Sequence, residues 1–567
     1  MDYSRKLYLI QNCIFGVDIQ PIATQISRLR FFISLIVEEK PNKNKPNMGI
    51  LALPNLETKF VAANTLIDLP QDNLFSTFPT IVKLREELEK VRTMYFRANT
   101  SKKKTEIQNR DNEFRLKIKQ EVLTLGATFE SAARLADWSP YDKDESSFWF
   151  NPKWMFNVDK FDIVIANPPY IDSETMFNVG LQDEREYITK HFEWAKGNWD
   201  IYIAFFEKGY NFLNSKGNMI FITPDKWLAR PFGKTMRKNI YKNVVSILFA
   251  GRDVFESALV DSIITNISKS KVGKINIKKY DKKIIKDKRS IDLSGLKPPY
   301  TLDFISSDNL DFINKIEKQP LKLFSLCECQ SACATSDAYK LKPIIKSLSN
   351  ENDYNNNLFK IMNTGTIGKY YSKWATTKIK YLKDSYEFPI VNKSDFYKEF
   401  SNSYSKKVCV PKLIIKGLTL LYCYLDSKGE YIPCKSTLVI QNDDENILKV
   451  AMAIVNSNLS IAYMKEKYSS ASYNGGIGFN KDMLNNFPIP KISENIKILL
   501  IDKVNKIIDV TLTNDYETNT KKQKEVSNIE NEINLILYKL YALTYSEVKT
   551  IDLNFSLSEL EYNNYQI

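Results

Sequence analysis

Histidine is almost absent from this chain of 567 residues: His191 is the only one. A Ser-His-Asp triad would have to use it, and no Gly-x-Ser-x-Gly elbow accompanies it. Centres built from several imidazoles are excluded, and local packing or surface hydrogen bonding is the role expected of His191. Cysteine is scarce as well, with seven residues at irregular spacing, which fits a reducing compartment rather than a disulfide scaffold. Cys327, Cys329 and Cys333 lie close together, but Cys-x-Cys-x3-Cys is no regular zinc pattern and supplies no fourth ligand. Packed or surface thiols are expected there. Glycine and proline, at 18 and 21 residues, are too few for a collagen or a flexible polymer. No run of eighteen apolar residues and no signal-peptide pattern occurs, so a soluble cytoplasmic protein is expected.

Positive charge is what the chain has in excess: 80 Lys and Arg against 67 Asp and Glu, a formal net charge of +13. That favours an anionic partner such as nucleic acid, although a general richness in Lys, Asn and Ile contributes to it. The chain is 43% apolar, ample for folded cores, and too long for a single one. "NCIFGVDIQPIATQISRLRFFISLI" reads as a short strand ending in an acidic residue, then an amphipathic helix with Pro21 in its first turn. "TKFVAANTLI" reads as the next strand and its loop. Residues from about 74 to 135 carry charged helical periodicity and look like an insertion covering a sheet, with Ser101–Lys104 as an exposed turn. "FDIVIANPPY" is a nearly continuous apolar strand, the pattern of a central parallel strand buried on both faces. A helix ("IYIAFFEKGYNFL") and three strands ("KGNMIFITPDKW", "NVVSILFAGRDVF", "LVDSIITNIS") follow. The lysine-rich stretch Lys269–Arg289 reads as a solvated ribbon or a DNA-facing strap. The reading divides the chain into an α/β domain over 1–290, a mixed domain over 291–490 and a helical region over 491–567, where polar "TNDYETNTKKQKE" separates helices.

Ligands of open α/β sheets bind outside the carboxyl ends of the strands, and Asn167-Pro168-Pro169-Tyr170 falls at such an end. This loop suits an exocyclic amine. The Asn167 side-chain oxygen and the Pro168 carbonyl can each accept one N–H, aiming the nitrogen lone pair at a methyl donor. Two prolines hold these acceptors in place before substrate arrives. The Tyr170 ring offers a stacking face to a base flipped out of a duplex.

The whole phrase, with its neighbours, resembles the adenine-specific DNA methyltransferases of type II restriction-modification systems. It looks most like the Eco57I-like (type IIG-related) branch and is similar also to TaqI-type enzymes. "NCIFGVDIQPIATQISRLRFFISL", "AANTLI", "GNMIFITPDKWL", "VFESALVDSIITNI", "TGTIGKYYSKW", the "FPIP" at Phe487–Pro490 and "INLILYKLYALTYSEV" carry the resemblance in family order along nearly the whole chain. The resemblance implies a Rossmann-like α/β methyltransferase sheet that uses S-adenosylmethionine and no metal. It also implies a mixed α/β target-recognition domain and C-terminal helices. Asp18 matches the acidic residue on the ribose hydroxyls of the cofactor. Ile19 matches the apolar residue beside its adenine, and Asn64 the residue on its adenine amine. Asn167, Pro168, Pro169 and Tyr170 match the catalytic loop, and Phe255 the aromatic that packs against the flipped base. The implied reaction is site-specific methylation of adenine N6 in duplex DNA.

One departure stands out. The family carries a glycine-rich loop, after a first strand, upstream of the segment matched by Asp18. Here Met1 precedes Asp18 closely, and Gly16 alone is no substitute for that loop. The sheet is therefore expected to lack its first strand and glycine loop, to be completed by a missing N-terminal segment or a separate chain. The alternative is a catalytically inactive DNA-binding or specificity fragment. Cytosine-C5 transfer would need a cysteine nucleophile after a proline, and Pro433-Cys434 lies far from the inferred sheet. Cytosine-N4 transfer more often has serine in place of Asn167.

Overall fold

The computed structural model describes residues 3–50, 52–69, 77–142, 144–251, 261–281, 283–307, 309–401, 403–468, 472–473 and 476–567. Two compact units divide the chain: Met1–Pro224 with Phe232–Tyr300, and Asp225–Pro231 with Thr301–Ile567. No single helix among the described residues is long and apolar enough to cross a membrane.

The first unit opens on helix α1 (Tyr3–Asn12), strand β1 (Gly16–Asp18) and helix α2 (Pro21–Ile36). Pro21 stands in the first turn of α2, where its missing N–H costs nothing. β1 pairs in parallel with β2 (Phe60–Ala62), Gly16 opposite Phe60 and Asp18 opposite Ala62. An ideal Cβ on Gly16 would lie 2.5 Å from the Phe60 ring, so glycine is what lets that ring close over β1. α2 is buried at Thr24, Arg28 and Leu35. Ile22, Ile26, Leu29, Ile33 and Ile36 are 45–59% exposed and recur at alternating four- and three-residue steps. That spacing keeps them on one helix face.

A helical layer follows: α3 (Pro79–Phe96), α4 (Ser101–Thr124) and α5 (Phe129–Asp137). Ser101–Lys104, expected as a turn, begins α4 instead. The Thr100 hydroxyl accepts from Lys103 N and caps the helix, a signal the lysine run obscured. Ile81, Leu88, Ile118 and Val122 share a core with Val61, Trp149 and Trp154. Within this layer Asp111 is fully buried between Arg92 Nε (2.9 Å) and Arg115 Nε (2.8 Å), and the Tyr141 hydroxyl donates to it at 3.1 Å. Arg92 also donates to the Trp154 carbonyl at 3.0 Å, anchoring the layer to the short helix α6 (Pro152–Phe156).

The remaining elements are β3 (Phe161–Ala166), α7 (Ser173–Asn178), α8 (Gln182–His191), α9 (Tyr202–Phe212), β4 (Leu213–Pro224), α10 (Lys234–Ile240), β5 (Val244–Gly251), β6 (Ser262–Ser268), β7 (Lys274–Asp281) and β8 (Ile284–Asp292). Their strands form a six-stranded sheet in the order β3-β4-β6-β5-β7-β8, while β1 and β2 form a separate pair. The β3–β4 and β5–β7 contacts are parallel; β4–β6, β5–β6 and β7–β8 are antiparallel. β3 was expected in the middle of a sheet, buried on both faces. Among the described residues it stands at the sheet's edge, paired with β4 alone, and Ile163 and Ile165 are 62% and 73% exposed. An apolar run states what a strand avoids, not whether a neighbour is there to cover it. The lysine-rich stretch becomes the β7–β8 hairpin at the opposite edge, with Lys286 paired to Asp281 at 2.9 Å.

In the second unit one four-stranded sheet contains Cys329–Ser331, Thr437–Gln441, Lys412–Lys416 and Cys423–Asp426 in that order. A second contains Lys346–Ser347, Pro389–Asn392, Leu358–Met362 and Tyr431–Pro433. Lys412 and Asp426 form a fully buried ion pair, and Asp426 also accepts from Glu430 N and Tyr431 N at 3.0 Å each. Helices Glu445–Val455, Asn458–Lys467, Glu494–Thr511 and Thr520–Leu540 enclose one core with the first sheet. The last of these starts inside "TNTKKQKE", so that polar stretch is not wholly a separator. Asn519 caps it through Lys521 N and Lys522 N, and helix formation there costs Lys and Gln little.

Candidate active site

The loop after β3 is held from both ends. β3 delivers Asn167 at its C-terminus, where Ala166 still pairs with Phe221 of β4. Beyond Tyr170, Asp172 caps α7 by accepting from Thr175 N at 2.7 Å. Ser173 N donates to the Trp199 carbonyl, and Ile201 N to the Ile171 carbonyl, both at 2.9 Å. The loop is thereby stitched to the residues that start α9. The Asp-Ser step after the tyrosine is the sequence signal that could have located this cap. Pro168 is buried, while Asn167 and Pro169 are exposed and Tyr170 is half-buried. The Tyr170 hydroxyl lies 3.0 Å from Asn167 Oδ1 and 3.3 Å from the Ile222 carbonyl. Burial pushes its pKa above the ordinary phenol value. Its ring stands edge-on to Tyr202, with centroids 6.5 Å apart.

Asp18 and Asn64 come together at the carboxyl ends of the β1–β2 pair. Ala63 N donates to the Asp18 carbonyl at 2.8 Å, which brings Asn64 to the residue after the last rung. The Asp18 carboxylate is exposed and accepts from Gln20 N at 2.8 Å; α2 has no side-chain cap. Ile19 beside it is 57% exposed. Asn64 is half-buried, its Oδ1 accepting from Leu66 N at 3.1 Å and its N–H donating to the Ser147 carbonyl. Phe255 lies outside the described residues.

A connection that sequence reading missed joins these two groups. Asp68, in the loop after β2, makes an ion pair with the buried Lys208 of α9, and Asp68 N donates to the Tyr187 hydroxyl at 3.1 Å. The single histidine supports this link, its ring stacked on Tyr187 at 4.3 Å one turn along α8. The start of β1 also lies beside the start of β3, with the Phe15 and Phe161 rings 6.1 Å apart.

Lys369 and Lys373 of the basic-aromatic segment "TIGKYYSKW" pair with Glu530 (2.9 Å) and Glu517 (3.6 Å). Trp374 is buried and donates to the Pro389 carbonyl at 2.9 Å. The basic-aromatic segment therefore fastens its own unit together. Among the described residues no group of three metal-ligating side chains occurs. Burial pushes the Cys327 thiol up to about 12 and the Cys333 thiol up to about 11, which keeps both protonated.

Residues 12–255 match the profile of the Eco57I restriction-modification methylases. A candidate type II restriction enzyme and methyltransferase of Methanocaldococcus jannaschii is 21% identical over 324 residues, 47% of this chain and 26% of its own length. The type II restriction enzyme and methyltransferase RM.Eco57I of Escherichia coli is 29% identical over 118 residues, 20% of this chain and 12% of its own. The type II methyltransferase M.PaeR7I of Pseudomonas aeruginosa is 33% identical over 78 residues, covering 14% and 13%. The matches thus span about a quarter or less of these relatives' lengths. The DNA-bound type IIL restriction-modification enzyme MmeI aligns at a TM-score of 0.49 and 10% identity, covering 99% of this chain and 75% of that one. Across residues 12–255, the chain is similar to the Eco57I restriction-modification methylases.

Proposed function

We propose that the protein acts in a restriction-modification system as a DNA methyltransferase that transfers methyl from S-adenosylmethionine to adenine N6 in duplex DNA. The observation that carries this is the braced loop at the end of β3, which presents the Asn167 amide at an exposed position beside the Pro168 carbonyl. Those two oxygens are the acceptors an exocyclic amine requires. When bound, the cofactor supplies an electrophilic methyl on a sulfonium, so neither a metal nor a covalent protein nucleophile is needed. Asn167 and Pro168 orient the amine, and the braced loop spares the backbone reorganisation when substrate arrives. Tyr170, with Phe255, offers ring faces to the flipped base. The exposed Asp18 carboxylate suits a vicinal diol, with Ile19 and Asn64 placed for an adenine ring and its amine.

In this reading a further strand-and-helix segment carrying a glycine loop completes the cofactor half, whether on the same polypeptide or on a partner. The exposed isoleucines of β3 and the apolar stripe of α2 support it, because water is a poor neighbour for both. Residues 291–490 serve as the target-recognition domain, and the net charge of +13 suits a polyanion.

The test is incubation with mixed-sequence duplex DNA and S-adenosylmethionine, then digestion and nucleoside analysis, with and without the protein encoded immediately upstream. N6-methyladenine is expected. Its absence in both arms, with DNA binding retained, would favour the specificity-fragment reading. Tight cofactor binding by this chain alone would remove the need for a completing segment.

A further inference from the structure

Beside the candidate base site, one phenolic proton serves two acceptors. Tyr170 Oη is 3.0 Å from Asn167 Oδ1 and 3.3 Å from the Ile222 carbonyl. The sheet register sets this up: Ala166 of β3 lies opposite Phe221 of β4, so the next residue of each strand brings Asn167 alongside Ile222. A phenol has a single hydrogen to donate, whereas the Asn167 side chain has an accepting end and a donating end. The two choices leave that side chain in opposite orientations. With the proton on Oδ1, the amide oxygen is turned to the tyrosine and the NH2 faces outward. An amine substrate then meets a donor where it needs an acceptor. With the proton on the Ile222 carbonyl, a phenol lone pair faces Asn167. A half-turn of the amide then places Nδ2–H on Tyr170 Oη and swings Oδ1 outward.

We infer that the Tyr170 hydroxyl selects which end of the Asn167 amide faces the substrate, capping Oδ1 in the resting protein and releasing it by rotating its proton to the Ile222 carbonyl. Only a hydroxyl and an amide rotate; no covalent bond forms or breaks. Burial of the phenol keeps the proton in place through neutral pH. The inference rests on the reading of this loop as an adenine site. Tyr170 is in this respect a positioning residue, separate from any stacking by its ring.

The test uses the methylating holoenzyme. Tyr170→Phe keeps the ring and removes the proton; kcat is expected to fall about tenfold, the worth of an ordinary hydrogen bond, with little change in KM for DNA. Asn167→Asp has two equivalent oxygens and so no wrong end. In that background Tyr170→Phe should cost less than about twofold, within the error of additive sites. A tenfold penalty that persists there overturns the switch while leaving the adenine reading intact. A wild-type holoenzyme that makes no N6-methyladenine removes both. Where Asn167→Asp proves inactive, the protein labelled with 15N-asparagine decides. A nuclear Overhauser contact between the Asn167 NH2 and the Tyr170 ring is expected only after adding the duplex that the wild type methylates. The same contact in the free protein, or none in either state, overturns the switch.

Discussion

The ring of Phe60 occupies the space a side chain at Gly16 would need, 2.5 Å from an ideal Cβ at that position. The two residues face one another across the parallel β1–β2 pair. Gly16→Ala is therefore expected to destabilise the first unit by about 1–3 kcal/mol, the usual cost of overpacking. Thermal unfolding measures it, and Phe60→Leu in the same chain should recover part of the loss. An unchanged melting temperature for Gly16→Ala would show that the ring moves aside freely.

Asp111 offers a larger effect. Its carboxylate is fully buried between two arginines that are themselves nearly buried. Asp111→Ala strands both cations, and a loss of about 3–5 kcal/mol is expected from breaking a buried pair at one partner. Chemical denaturation followed by fluorescence of the tryptophans in this core would report it.

Methyl transfer should depend on the Asn167 amide far more than DNA binding does. Asn167→Ala is expected to lower kcat by about 100-fold or more, as loss of a preorganised polar group in a reacting site does. The dissociation constant for duplex DNA should stay nearly constant. Equal loss of both would point to a collapsed loop.

The thiols should divide by burial and acidity. Cys13 and Cys409 are exposed, whereas Cys327, Cys329, Cys423 and Cys434 are buried. Iodoacetamide at pH 8 should modify the first two quickly. Cys327 and Cys333, raised to about 12 and about 11, gain thiolate only as pH approaches those values, so their labelling should rise at strongly alkaline pH. Peptide mass spectrometry resolves each site. Fast labelling of Cys327 at pH 8 in the folded protein would contradict its burial.

Local order along the chain was written in the sequence. The strand ends at Asp18 and Ala166, the Pro21 helix start and the helical layer near 79–137 follow from propensity, caps and periodicity, which act over a few residues. The Asn-Pro-Pro-Tyr loop was legible for the same reason, since two prolines restrict the backbone wherever they occur. Tertiary structure decided what those elements meet. It put β3 at an edge although its composition suits a sheet centre, and gave Gly16 its purpose by bringing Phe60 across from a strand more than forty residues on. It turned the lysines of "TIGKYYSKW" toward Glu517 and Glu530, and set the Ile222 carbonyl beside Tyr170. Each of these depends on strand pairing or helix packing between residues distant in the chain. Such contacts form only when the chain closes on itself, and no short window of sequence contains both partners.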